Sequence, residues 1–212
     1  MNGRLWAMRV FGTYGPRIRD EIWRMVQEEH LASANAQDAC GHQSQSVYGQ
    51  FYAGISERFA EFGRLPGAVL ARPGRAPYQV PLVNGVALYP WRHSGRPEDG
   101  IGSRRFGTSE ARLAVANLPP QPVQGMLDLG LPDPGLTEEE QRFAEIAASV
   151  MNDPVVTSGK LVVVAICSSA RGLHAVEWGE VSLQLDEHLD WTGFHESLMG
   201  AMGSPSDEPE PS

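Results

Sequence analysis

Residues 77–93 read PYQVPLVNGVALYPWRH, two apolar, β-favouring runs on either side of Asn84-Gly85. Asn-Gly adopts positive φ at both positions at little cost, which is what a two-residue hairpin turn demands. Such a turn sets Val83 opposite Val86, Leu82 opposite Ala87, Val80 opposite Tyr89 and Tyr78 opposite Trp91. The last three pairs share one face and make an apolar cross-strand ladder. The same register puts Pro81 and Pro90 where each strand should donate an N–H to the other, and proline has none. A four-residue loop would turn both prolines outward instead. Under either register, one strand must be interrupted or lie at an edge.

Working outward, residues 68–72 read as a strand, and Pro73-Gly74 turns it into the hairpin. The three strands together predict an antiparallel meander. Before them, Val47, Phe51, Ile55, Phe59 and Phe62 repeat at helical spacing, widened by Tyr48 and Tyr52, and Gly63 is placed to end the helix. Aromatic residues at that spacing suit a core better than a pocket. An earlier helix runs from Pro16 to about Ala34 on the stripe Ile18, Ile22, Met25, Val26 and Leu31. Residues 5–11 (LWAMRVF) suit a strand, with a helical turn as the alternative, and residues 35–45 read as a polar loop.

Beyond the hairpin lies RHSGRPEDGIGSRRFG, residues 92–107. Its arginines Arg92, Arg96, Arg104 and Arg105, with Arg112 just after, are the candidate anion or nucleic-acid contacts, because a guanidinium offers paired donors to phosphate. Thr108 can cap a short helix to about Asn117. Pro119-Pro120-Gln121-Pro122 is a stiff spacer, and Thr137 with Glu140 forms a capping box ahead of a helix to Met151. Residues 160–168 (KLVVVAICS) are apolar on both faces, as in a central strand. A return strand follows over 173–185, with a bulge near Gly179. Trp191, Phe194 and Leu198 suggest a final short helix, and residues 203–212 form an acidic tail that cannot bury apolar area.

The fold class expected is α+β: an antiparallel β-meander and a second long β-hairpin with about four packed helices, in a single domain over residues 1–202. The chain is 42% hydrophobic and carries a net charge of −9. That charge is uneven. Residues 64–112 hold eight Arg against three acids, whereas residues 113–212 hold three cations against sixteen acids. The positive middle either meets an anionic partner or neutralises the chain's own acidic half. Lys160 is the only lysine, an arginine bias that fits a GC-rich bacterial genome. Two cysteines make no disulfide framework and fit a reducing cytoplasm. Arg4 and Arg9 break up any signal-peptide core, and no apolar run can span a bilayer.

Motifs with chemistry fall short of their templates. Cys40 and His42 form a lone pair where zinc needs four ligands, or three with water. Cys167 to Arg171 has three intervening residues where a cysteine-phosphatase loop needs five. Pro132-Asp133 and Lys160 match part of a metal-dependent nuclease pattern, but Ser158 stands where an acid is required. Asp186-Glu187-His188-Leu189-Asp190, with His195 and Glu196, fits no zinc spacing and reads as a solvated turn. No metal or cofactor is expected, and catalytic residues stay unassigned. The leading expectation is a non-catalytic intracellular accessory protein acting through a protein partner or self-association. The alternative is nucleic-acid or phosphate binding, nuclease-like in one variant, through the arginine loop.

Overall fold

The computed structural model describes residues 2–118 and 161–199. The Pro-rich spacer, Pro132-Asp133, the capped helix at 137–151, Lys160 and the acidic tail lie outside the described residues. The architecture is α+β. Six strands form one mixed sheet in sequence order: β1 (Val69–Ala71), β2 (Val80–Val83), β3 (Val86–Ser94), β4 (Leu161–Ser169), β5 (Gly172–Leu183) and β6 (Leu189–Ser197). All neighbours are antiparallel except β3 and β4, which run parallel. The two expected hairpins are therefore fused into one sheet, and the long connection between β3 and β4 is what a parallel crossover requires.

The Asn84-Gly85 turn takes the two-residue register. Both residues have positive φ, 51° and 74°, and Val83 faces Val86. Pairing then stops at Leu82 opposite Ala87. The next position toward the strand start is Pro81, where the missing N–H would have continued the ladder. On its other edge β3 pairs with β4 from Ala87 onward, and there Pro90 faces Val164.

β4 sits between β3 and β5 with every residue buried. Its alternate residues serve two cores. Val162, Val164 and Ile166 point to one packed face with Trp6, Phe11, Ile18, Ile22, Phe51, Ile55 and Phe59. Leu161, Val163 and Ala165 point to the other, with Tyr89, Trp91, Ile101, Phe106 and Val115. Three helices supply the first face: α1 (Gly3–Phe11), α2 (Gly15–Cys40) and α3 (Phe51–Ala60). The loop after β3 and α4 (Glu110–Ala116) lie over the second.

Five local expectations are corrected. Residues 5–11 are helix, not strand: Asn2 caps it by accepting the Arg4 N–H, and Trp6 and Phe11 both reach Trp178 on β5. α2 runs on to Cys40, so the first part of the supposed loop is helical. Gln37 explains the extension, because its amide donates to the carbonyls of His42 and Ser44 and accepts the Tyr48 N–H. Leu31 is 54% exposed, while His30, Ser33 and Gln37 continue the buried stripe. The last element is β6, where a helix was expected. Its pairing with β5 slips between Gly179 and Val181, and the two extra residues lie on β6. The short helix near residue 110 starts one residue later than expected, with Ser109 at its N-cap.

Candidate functional site

β3 and β4 are the sheet's parallel pair, and both end in polar residues. β3 closes on Arg92, His93 and Ser94; β4 closes on Cys167, Ser168 and Ser169. Two bulges shape this end. Arg92 faces Ile166 and Ser94 faces Cys167, which leaves His93 as an extra residue on β3. Cys167 faces Ala175 and Ser168 faces Leu173, which leaves His174 extra on β5. Each bulge re-aims a histidine that regular pleating would have placed elsewhere.

On the helix-covered side, Arg92 donates from Nε and Nη2 to the Ser168 carbonyl at 2.9 and 2.7 Å. Its guanidinium lies 5.3 Å from the centre of the Tyr48 ring. The Tyr48 hydroxyl pairs with His30 Nδ1 at 2.8 Å, and Ser169 Oγ pairs with His174 Nε2 at 3.1 Å. Burial pushes the Tyr48 phenol up and the His30 imidazole down, with the nearby His174 adding to the latter. Both therefore stay neutral near pH 7.

On the other side, the Cys167 thiol donates to the Arg96 carbonyl at 2.9 Å. Ser94 Oγ donates to Asp99 Oδ2 at 2.5 Å and accepts the Arg96 N–H at 3.1 Å. Burial raises the Cys167 pKa, with Asp99 adding to the effect, so the thiol keeps its proton. His93 is 6% exposed, and its Nδ1 has no hydrogen-bond partner. Its ring leans on Trp91 at 5.7 Å. Burial lowers its pKa, Asp99 opposes that, and Arg104 and Arg92 reinforce it.

A cysteine, a histidine and an aspartate on one face invite a nucleophile reading. The chemistry present is weaker than that. A nucleophilic cysteine needs a thiolate, and Cys167 is held as a buried, donating thiol. Ser169 opposite Gly172 leaves Ala170 and Arg171 as a tight turn between β4 and β5, so the chain there closes a hairpin and does not form a phosphate cradle.

The five arginines divide. Arg92 is engaged with Ser168 and Tyr48 as described. Arg112 donates to Thr108 Oγ1 at 2.7 Å and lies over the Phe106 ring. Arg96, Arg104 and Arg105 are exposed. Among the described residues they make no ion pair. Asp186 and His188 meet at 3.2 Å at the β5–β6 turn, His195 stacks on Trp191, and Glu196 is engaged with Arg19 and Trp178. Cys40 is exposed at the end of α2. Among the described residues no group of three or more His, Cys, Asp or Glu side chains could hold a metal ion, and none of the helices is long and apolar enough to cross a membrane.

Sequence reasoning passed over His30, Ser168, Ser169 and His174. Only His30 had a legible signal, its place one turn beyond Val26 on the buried stripe. Bulge positions such as His93 and His174 leave no periodicity to read.

The two buried histidines predict a pH dependence. Folding lowers both pKa values, so below the unfolded value of about 6.5 the unfolded chain binds protons more readily. Their contribution is complete above that pH and is lost as pH falls toward the folded values. Urea midpoints should drop between pH 7 and pH 5. His93→Leu should be no less stable at pH 7, since it removes an unpaired buried atom, and should flatten the slope. An unchanged slope would show that His93 is already solvated.

Comparison with known proteins adds no relative: no family model, no curated protein and no solved structure matches the chain.

Proposed function

We propose that the chain is a non-catalytic binding protein acting through a protein partner. The observation that supports this reading is the state of the polar cluster at the ends of β3 and β4. Arg92, Tyr48, His30 and Cys167 are bonded to one another or to main-chain carbonyls. Groups used in that way hold a fold together and leave little for a reaction. Exposed apolar side chains lie elsewhere, on Val69 and Leu70 of β1, which are 50% and 36% exposed. A reducing compartment such as the cytoplasm suits the two free cysteines.

A second reading has its own support. Arg96, Arg104 and Arg105 stand exposed on the loop after β3, which suits phosphate or nucleic acid. Native mass spectrometry of the protein purified from its own cells separates the two. A complex with a second polypeptide is expected. A bound nucleotide or nucleic acid, with no second polypeptide, would favour the arginine loop and overturn the first reading.

A further inference from the structure

The register of the meander fixes which way β1 presents its main chain. Val83 and Val86 flank the two-residue turn and so exchange both of their hydrogen bonds. Alternation then turns the N–H and C=O of Leu82 and Val80 toward β1, where they meet Val69 and Ala71. Leu70, opposite Pro81, is left with its own N–H and C=O directed to the open side. β1 ends the sheet order, so that side carries no strand among the described residues. Unpaired strand edges of this kind accept an added strand.

The side chains point to what that strand would be. Leu70 lies against Gly63, where a Cβ would fall 2.4 Å from Leu70 Cγ, so it is seated on the helix-covered face while remaining 36% exposed. Val69 is exposed on the opposite face. The charges nearest in sequence to β1 are mostly basic: Arg64, Arg72 and Arg75 flank it, and Glu61 is the nearest acid. Arg72 and Arg75 flank β1 directly and are exposed. A second copy of β1 would bring these cations together, which disfavours self-pairing.

From this we infer that β1 is the docking edge for an extended acidic segment of the partner, which adds to the sheet beside Leu70 with its carboxylates near Arg72 and Arg75. This rests on the protein-partner reading and names the chemistry of the partner. Strand addition would supply main-chain affinity, and the arginines would select acidic over basic segments.

The test uses the full chain with two capped peptides of equal length, one alternating Glu and Val and one alternating Lys and Val. Hydrogen exchange is followed amide by amide. The acidic peptide should slow exchange at Leu70 and leave Val69 and Ala71, already bonded to β2, unchanged. Binding should weaken with salt. Arg72→Glu with Arg75→Glu should weaken the acidic peptide at least about tenfold and strengthen the lysine peptide. Leu70→Pro, which has no N–H to offer an added strand, should abolish binding of the acidic peptide. The charge-reversed chain, whose substitutions lie outside the strands, remains informative if the proline variant unfolds.

Equal affinity for the two peptides, protection at the Arg104–Arg105 loop only, or a dimer paired through β1 would each overturn the assignment. If the peptides fail while the cellular complex persists in native mass spectra, the edge is wrong and the partner reading stands. If the peptides behave as expected and no cellular complex exists, the partner reading falls.

Discussion

Trp178→Ala should cost about 3–5 kcal/mol, read as a fall in urea midpoint at unchanged slope. Trp178 is fully buried on β5 and is the ring on which the N-terminal helix rests. Trp6 meets it edge-on with centroids 4.8 Å apart, and Phe11 stacks on it at 6.0 Å. Removing it opens a cavity beneath α1 and takes away the indole N–H that Glu196 accepts at 2.8 Å. Trp191→Ala on β6 is the control, since that ring is only half-buried. If the two substitutions cost the same, α1 does not pack on β5 as described.

The second large effect concerns the ion pair beside that ring. Arg19 on α2 is 8% exposed and donates to both oxygens of Glu196, at 2.7 and 3.2 Å. The carboxylate raises the Arg19 pKa further through that hydrogen bond, against the cost of burial. Glu196 thereby joins α2 to β5 and β6. Glu196→Ala leaves a buried guanidinium with only the Asp20 contact at 3.1 Å, and leaves the Trp178 N–H without its carboxylate. The expected loss is about 3 kcal/mol. Arg24→Ala, which breaks pairs with Glu21 and Glu28 on the exposed face of α2, should change stability little. Comparable losses would mean that Arg19 is solvated in the folded chain.

What the sequence made legible follows from where local chemistry and tertiary packing agree. Asn84-Gly85 encodes its own turn and could be read because the dipeptide acts alone. The ladder's length could not, since Val80 opposite Tyr89 and Tyr78 opposite Trp91 were expected and pairing ends at Leu82, next to Pro81. The apolar run of β4 could be read as central because both its faces are buried. Residues 5–11 could not, since a short apolar run suits helix and strand equally until Trp178 supplies a partner for Trp6 and Phe11. β6 misled for a sharper reason. Trp191, Phe194 and Leu198 keep a helical spacing in sequence, yet ordinary strand alternation puts Trp191 on one face of the sheet and Phe194 and Leu198 on the other.

The candidate site was half legible. The arginine loop stood out by composition, and three of its cations are exposed. That Arg92 would be drawn back onto Ser168, and that two bulges would place His93 and His174 at the same end of the sheet, depended on a parallel pairing between strands far apart in sequence. No local signal carries that.

The central claim is that the polar groups at the ends of β3 and β4 hold the fold and do not bind a ligand. Arg92→Met tests it most directly, because it keeps an apolar stem and removes the guanidinium that donates to Ser168 and lies over Tyr48. The account predicts a loss of about 2 kcal/mol in urea unfolding, with the complex seen in native mass spectra retained. A variant as stable as the parent that has lost binding to phosphate or nucleic acid would contradict it.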